Sequence, residues 1–317
     1  MPNKPEHFPL TRLAPSPTGA LHLGNIRTFL ANWAMARRQG WGVILRIEDL
    51  DGPRVKPGAV EATIETLRWL GMDWDGDVWI QSHDLGAYRA AMRMLANMGK
   101  VYPSAHTRGE LESVASAPQE GVHESVFPAT MRPAIGPREF DDEGVNWRLV
   151  VGEVEVEVED EFLGRCVFEP SKSIGDFVVW TKRGVPAYQL AVVVDDHRQG
   201  VGWVVRGDDL LESSARQGLV YQALGVGPIP GYVHLPLVRG SDGRRLAKRH
   251  GDTRVEGYRS RGVSAERIIA LIARWCGMGA CEKMDAGEFR AAFDLARVPR
   301  EGVVFTPEDD AWLLSAG

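Results

Sequence analysis

The alternation of apolar and polar positions near the N-terminus carries one strong signal. Residues 10–14 (LTRLA) form a short apolar run ended by Pro15, which reads as a strand entering a turn. From Asn25 to Gln39, the residues Ile26, Phe29, Leu30, Trp33 and Ala34 recur at helical spacing, and Gly40 can stop the helix. GVILRIEDLD follows as a buried-strand run that ends in charge. Strand, loop, helix and strand in this order form a βαβ unit, which implies a parallel sheet. Residues 58–70 and 84–98 have the pattern of two further amphipathic helices.

Residues 103–145 break the pattern. They are rich in Pro, Gly, Ser and Glu with weak periodicity, and read as an insertion into the α/β fold. EVEVEVEDEF then alternates valine with acid, a strand with one buried face and one acidic, solvated face. The α/β pattern resumes over 175–205 with DFVVW, AYQLAVVVDD and GWVVRG. ARQGLVYQALG is a helix ending at glycine, VHLPLV a strand, and GSDGRRLAKRHGD a basic, Gly-flanked loop. The remainder reads as helices, where Arg254, Arg259, Arg261, Arg267 and Arg274 are expected on solvated faces.

Composition adds limits. A chain of 317 residues with 44% hydrophobic content can bury a substantial core in one large or two medium domains. The net charge of −6 gives no global support for a nucleic-acid partner, so phosphate contact would need a local basic surface. Three cysteines without a regular framework (Cys166, Cys276, Cys281) point to reduced thiols. With no apolar leader and no membrane-length run, the cytoplasm is the expected compartment, and a monomer is expected.

Two clusters carry chemistry. APSPTGALHLGN joins a strand to a helix, and such turns lie at the carboxyl edge of open α/β sheets, where ligands bind. The helix start offers free N–H groups and a positive dipole end suited to phosphate. Gly19 and Gly24 allow close approach, and His22 can donate to a phosphate oxygen. Neither a P-loop nor a GxGxxG pattern is present. The second cluster, DGRRLAKRHG, puts Arg244, Arg245, Lys248 and Arg249 in a loop able to close over an anion, as suits a transition state that gathers charge on phosphate. Taken singly, each also reads as an ordinary surface turn.

Together, RLAPSPTGALHLGNIRT and RRLAKRHG resemble the two signature regions of class I aminoacyl-tRNA synthetases, in the form of their glutamyl branch. RIEDLD, AYQLAVVVDD and VVRGDDLL resemble further segments of that branch in the same order. The resemblance implies an α/β fold with a Rossmann-type parallel sheet. It divides the chain into a first catalytic half (1–100), an inserted α+β connective segment (101–165), a second half (166–240) and a basic loop with a helical stem-contact region (241–317). It implies His22 and Lys248 as catalytic residues. Thr18, Gly19, His22, Gly24, Asn25, Lys248 and Arg249 would bind ATP, with Mg²⁺ accompanying the nucleotide. Arg12, Ser16, Glu48, Tyr188 and Arg206 would bind L-glutamate: two guanidinium forks for two carboxylates, and a carboxylate for the ammonium. Ala247 stands where the general signature has a serine.

Only 66 residues follow Gly251, so no anticodon-binding domain is expected. This resembles a truncated group within the branch, whose members attach glutamate to the queuosine base of tRNA(Asp). That group often holds zinc on a Tyr-x-Cys-x-Cys start with a later Tyr and Cys. Here Tyr102 is followed by Ser104 and His106 in place of the cysteines, and by Phe127 and Met131 downstream, so no zinc is expected. His106 and His123 alone would not make a site. The open alternatives are a short enzyme charging a tRNA 3′ end, a ligase for a protein or small molecule, and a binding module without catalysis.

Overall fold

The computed structural model describes residues 9–105, 126–127, 129–141, 144–244, 246 and 253–315. Lys248, Arg249, Arg245, Ala247, His106 and His123 lie outside the described residues. In chain order the elements are β1 (Leu10–Leu13), α1 (Leu23–Arg38), β2 (Gly42–Ile47), α2 (Ala59–Trp69), β3 (Trp79–Ile80), α3 (Gly86–Asn97), β4 (Val101–Ser104), β5 (Asn146–Leu149), β6 (Val156–Asp160) and β7 (Gly164–Phe168). They continue with α4 (Pro170–Ser173), β8 (Val178–Trp180), α5 (Tyr188–Gln199), β9 (Trp203–Gly207), α6 (Leu211–Leu224), β10 (Gly231–Leu235) and β11 (Val238–Arg239). The C-terminal part holds α7 (Val255–Ser260), α8 (Ala265–Trp275), α9 (Ala286–Ala292), β12 (Val303–Val304) and α10 (Pro307–Leu314). No helix of the described residues is long and apolar enough to cross a membrane.

The chain forms two units. One comprises Ile80–Gly202 and Asp209–Tyr232; the other comprises Pro9–Trp79, Trp203–Asp208 and the chain from Val233 on. The second holds the βαβ unit. β1 pairs β2 in parallel, Leu10 opposite Gly42 through Leu13 opposite Leu45, and Thr11 of β1 meets Trp203 of parallel β9. Helix α1 is apolar on one face at its start, but residues 31–36 are buried all round, because α1 touches β1, β2 and β9 as well as α8 and α9. Asn32 inside α1 donates to the Arg12 carbonyl (3.0 Å), and the Thr11 hydroxyl donates to the Trp203 carbonyl (2.9 Å). These bonds fix the helix on the sheet where β1 hands over to the turn. Arg27 is also buried; its guanidinium donates to the carbonyls of Pro236 and Trp275, which lie at a strand end and a helix end.

The solvated-face expectation fails for one of the C-terminal arginines, Arg267. Arg267 is 5% exposed; it donates to the Trp312 carbonyl and the Ser315 hydroxyl, pairs with Glu282 (3.1 Å) and lies 4.0 Å over the Trp312 ring. Arg274 pairs with Asp309. Both join α8 to α10, but Arg274 stays exposed on the solvated face. Arg254, Arg259 and Arg261 are exposed.

In the first unit, β6 matches its alternation: Val156 and Val158 point inward, Glu157 and Glu159 outward. Asp160 is the exception. It is buried, with Oδ1 accepting from the backbone of Phe162 (2.9 Å) and Leu163 (2.7 Å) to close the turn into antiparallel β7. AYQLAVVVDD, which the sequence leaves unassigned, is helix α5 despite three successive valines; tertiary burial outweighs the modest helix cost of β-branched residues. The antiparallel strands β4, β5 and β8 form a small sheet in the same unit.

A buried ionic cluster holds that small sheet. Asp176 is 1% exposed. Its carboxylate accepts from the Tyr102 hydroxyl (2.6 Å), from Nε and Nη2 of Arg132 (both 2.7 Å) and from the Val151 amide (2.7 Å). Burial and the bond to Asp176 push the Tyr102 phenol far above its ordinary range. Arg148 donates to the Asp176 carbonyl (2.6 Å) and to Ser104 Oγ (3.3 Å), and stacks 4.1 Å over the Phe127 ring. Gly175 admits the Phe127 backbone: a Cβ there would lie 2.2 Å from its carbonyl oxygen, and φ is +69°.

Candidate active site

The strands of the second unit aim polar side chains at one edge. In a parallel arrangement all strands end on the same side, and β1, β2 and β9 finish there with Arg12, Glu48 and Arg206 close to their carboxyl ends. Arg12 and Arg206 are 4% and 5% exposed. The Glu48 amide donates to the Pro15 carbonyl (3.0 Å), which ties the end of β2 to the turn that carries Ser16. The Ser16 hydroxyl donates to Thr18 Oγ1 (3.4 Å).

Two residues that sequence reasoning passed over complete this edge. Arg46 is wholly buried, and its guanidinium meets Glu48 Oε1 from Nη2 (3.1 Å) and Nε (3.3 Å). Residues two apart on a strand share a face, so Arg46 can orient the Glu48 carboxylate from beneath. A charged residue inside the apolar run GVILRI was the available signal. His234, also fully buried, accepts at Nε2 from Arg206 Nε (3.0 Å). Its signal was a lone polar residue in VHLPLV.

The turn itself is built around His22, the N-cap of α1. Asn25 donates its amide to His22 Nδ1 (3.3 Å), and the His22 amide donates to Asn25 Oδ1 (3.2 Å), a reciprocal capping box. Because Nδ1 accepts, the neutral ring carries its proton on Nε2, where it can be donated outward. Gly24 makes room for that ring. A Cβ at this position would lie 3.1 Å from His22 Nδ1 and 3.2 Å from Cε1, so a larger residue would push the imidazole by a few tenths of an ångström. Gly19 is exposed with no atom within 4 Å of a Cβ position, which leaves room over the turn.

The ends of the basic loop are anchored beside this turn. The Leu23 amide donates to the Thr253 carbonyl (3.1 Å) and the Val255 amide to the Leu21 carbonyl (2.9 Å), with His22 and Arg254 forming an antiparallel bridge. On the other side, Leu246 donates to the Val238 carbonyl (3.0 Å), and Val238 lies 3.5 Å from a Cβ at Gly24. Arg244 is exposed. Of the residues expected in the site, Arg12, Ser16, Thr18, Gly19, His22, Gly24, Asn25, Glu48 and Arg206 thus belong to the second unit, whereas Tyr188, half-buried, opens α5 in the first. Among the described residues no group of three or more His, Cys, Asp or Glu could hold a metal ion.

The arrangement can bind an anion twice over: at buried guanidinium groups and at a helix start topped by a donating imidazole. Known proteins resemble the chain that builds it. A glutamyl-Q tRNA(Asp) synthetase from Rhodopirellula baltica is 45% identical over 287 residues, covering 87% of this chain and 86% of the relative. Glutamate–tRNA ligase 1 of Methylobacterium sp. (strain 4-46) is 39% identical over 306 residues, covering 93% of this chain and 62% of the ligase. The crystal structure of a glutamate-tRNA synthetase from Elizabethkingia anophelis superposes with a TM-score of 0.79 at 27% identity, covering 97% of this chain and 70% of that one. With residues 10–309 matching the tRNA synthetases class I (E and Q), catalytic domain, the chain belongs to that family.

Proposed function

We propose that the chain condenses L-glutamate with ATP to glutamyl-adenylate and passes the glutamyl group to the queuosine base of tRNA(Asp), working as a monomer in the cytoplasm. The observation that carries the activation step is the set Arg12, Glu48 and Arg206 at the carboxyl ends of β1, β2 and β9, in one unit with the His22-capped start of α1. Arg12 and Arg206 suit the two carboxylates of glutamate and Glu48 its ammonium, with the Ser16 and Tyr188 hydroxyls adding contacts. Glutamine would leave a buried guanidinium without its anion, which is how the site would reject it.

In the chemical step a carboxylate oxygen of glutamate attacks the α-phosphorus, and the bond to pyrophosphate breaks. The protein's part is positioning and charge stabilisation. His22 Nε2–H and the α1 amides would hold phosphate oxygens, with Thr18, Gly19, Gly24 and Asn25 shaping the turn around the nucleotide. Lys248 and Arg249 would neutralise charge gathering on the α- and β-phosphates. Mg²⁺ would arrive on the phosphates and screen their charge; the protein offers no metal cage of its own among the described residues. A hydroxyl of queuosine then attacks the acyl carbon and AMP departs.

For the acceptor, the support is likeness: 45% identity to the R. baltica glutamyl-Q tRNA(Asp) synthetase against 39% to the Methylobacterium ligase. The test has two stages. Glutamate-dependent exchange of pyrophosphate into ATP is expected without any tRNA. Labelled glutamate should then attach to tRNA(Asp) that contains queuosine and not to the same tRNA without it. Label on a 3′ end would instead establish a charging enzyme, and no exchange at all would overturn the activation step.

A further inference from the structure

Arg206 and His234 form a contact whose chemistry is selective. A guanidinium has donors only, so the nitrogen facing Arg206 Nε at 3.0 Å, His234 Nε2, must be an unprotonated acceptor. The imidazole is therefore neutral, with its proton on Nδ1. His234 is fully buried on β10, and Arg206 near the end of β9 is 5% exposed, so the bond forms away from water. A carboxylate in place of His234 would also fix the arginine, but it would cancel the positive charge and compete with an incoming carboxylate. A neutral nitrogen fixes direction without bringing a negative charge of its own. With Nε occupied, a carboxylate approaching Arg206 is met by the Nη pair, the end-on form of the bidentate fork.

We propose that His234 is a positioning residue for glutamate recognition: it holds the Arg206 guanidinium by Nε in the orientation that presents its Nη pair to a substrate carboxylate. The proposal rests on the reading of Arg206 as a glutamate ligand, and the experiment separates the two. Glutamate-dependent pyrophosphate exchange is measured for wild type, Arg206→Ala, His234→Phe and His234→Gln, with KM for glutamate and for ATP determined separately. Gln places an amide oxygen where Nε2 stands; Phe fills the space without an acceptor. The expected result is a rise in glutamate KM of about 10- to 100-fold for His234→Phe, the scale of one lost bond to a charged group, with ATP KM unchanged and most of the loss restored in His234→Gln. Unchanged glutamate KM in His234→Phe, or Gln behaving as badly as Phe, would overturn the positioning role while leaving Arg206 in place. If Arg206→Ala leaves glutamate KM unchanged, the glutamate reading falls and the proposal with it. Should His234→Phe not fold, nitrogen NMR of the wild-type protein labelled at histidine decides: a protonated Nδ1 with a bare Nε2 is expected, and the opposite tautomer would overturn the proposal.

Discussion

Asp176 in the first unit and Arg206 in the second are both charged, both buried and both hydrogen-bonded, but these partners differ in kind. Asp176 is met by a bidentate arginine, a phenol and a backbone amide, so its negative charge is answered inside the protein. Arg206 donates from Nε to the neutral His234 Nε2 (3.0 Å), a bond that sets the direction of its guanidinium. The first arrangement is a closed network that fastens strands β4, β5 and β8. The second is a directional bond that orients one side chain near the carboxyl end of β9. Burying a charge is costly unless it is paired. The two partner sets differ in what they do: one joins strands, the other sets the direction of a single guanidinium.

The largest effect should come from breaking the closed network. Asp176→Asn leaves the half-buried Arg132 and the buried Tyr102 facing an amide, at a cost of about 2–4 kcal/mol in folding stability. Urea unfolding should show the lowered midpoint, and the folded fraction should keep its glutamate KM. A small stability change would mean that the cluster is not what fastens the sheet of β4, β5 and β8. At the other region the expected loss is in rate. His22→Asn keeps a short side-chain acceptor for the amide of Asn25 but removes the outward N–H, so pyrophosphate exchange should fall about 100-fold while melting is nearly unchanged. His22→Ala should lose the same rate and, in addition, about 1 kcal/mol of helix cap. An active His22→Asn would show that the ring serves α1 alone.

The smallest effect sharpens the contrast with charges that are neither closed in nor aimed. Arg37 on α1 binds Asp75 (2.7 Å) and Asp73 (3.0 Å) at the surface. The hydrogen bond from Arg37 holds the Asp75 carboxyl below its ordinary range. A depressed carboxylate adds stability above its unfolded value of about 3.9, and that stability is lost as pH falls through the lower folded value. Wild type should thus exceed Asp75→Asn by up to about 1 kcal/mol near neutral pH, and the two should converge near pH 2. Chemical unfolding at several pH values measures this difference; parallel curves would show that the pair contributes nothing.

Much of the second unit's fold was legible because its signals are local. The βαβ unit follows from an apolar run, a helical period and a second apolar run, and β1, α1 and β2 fall where those patterns put them. The helices at 59–69 and 86–97 and the buried valines of β6 followed from the same periodicity. The Pro-Gly turn, Arg12 and Glu48 stand close together in the chain, whereas Tyr188 and Arg206 lie far along it and were named only through the family resemblance. Arg46 and His234 were missed, although each is a polar residue within an apolar strand, because their roles depend on a neighbour. Glu48 sits one pleat period away from Arg46, and Arg206 lies on another strand.

The sequence by itself determined the order of strands and helices, the ligand-ready turn and the residue types available at its edge, since period, turn chemistry and charge act over a few residues. Only the tertiary structure decided which charges are closed and which are supported. Arg267 of α8 became an internal brace where a solvated face was expected, because α10 returns to cover it. Asp176 gathers Tyr102, Arg132 and Val151 from 25 to 74 positions away. Pairing across such separations depends on the path of the chain, and no local pattern encodes it.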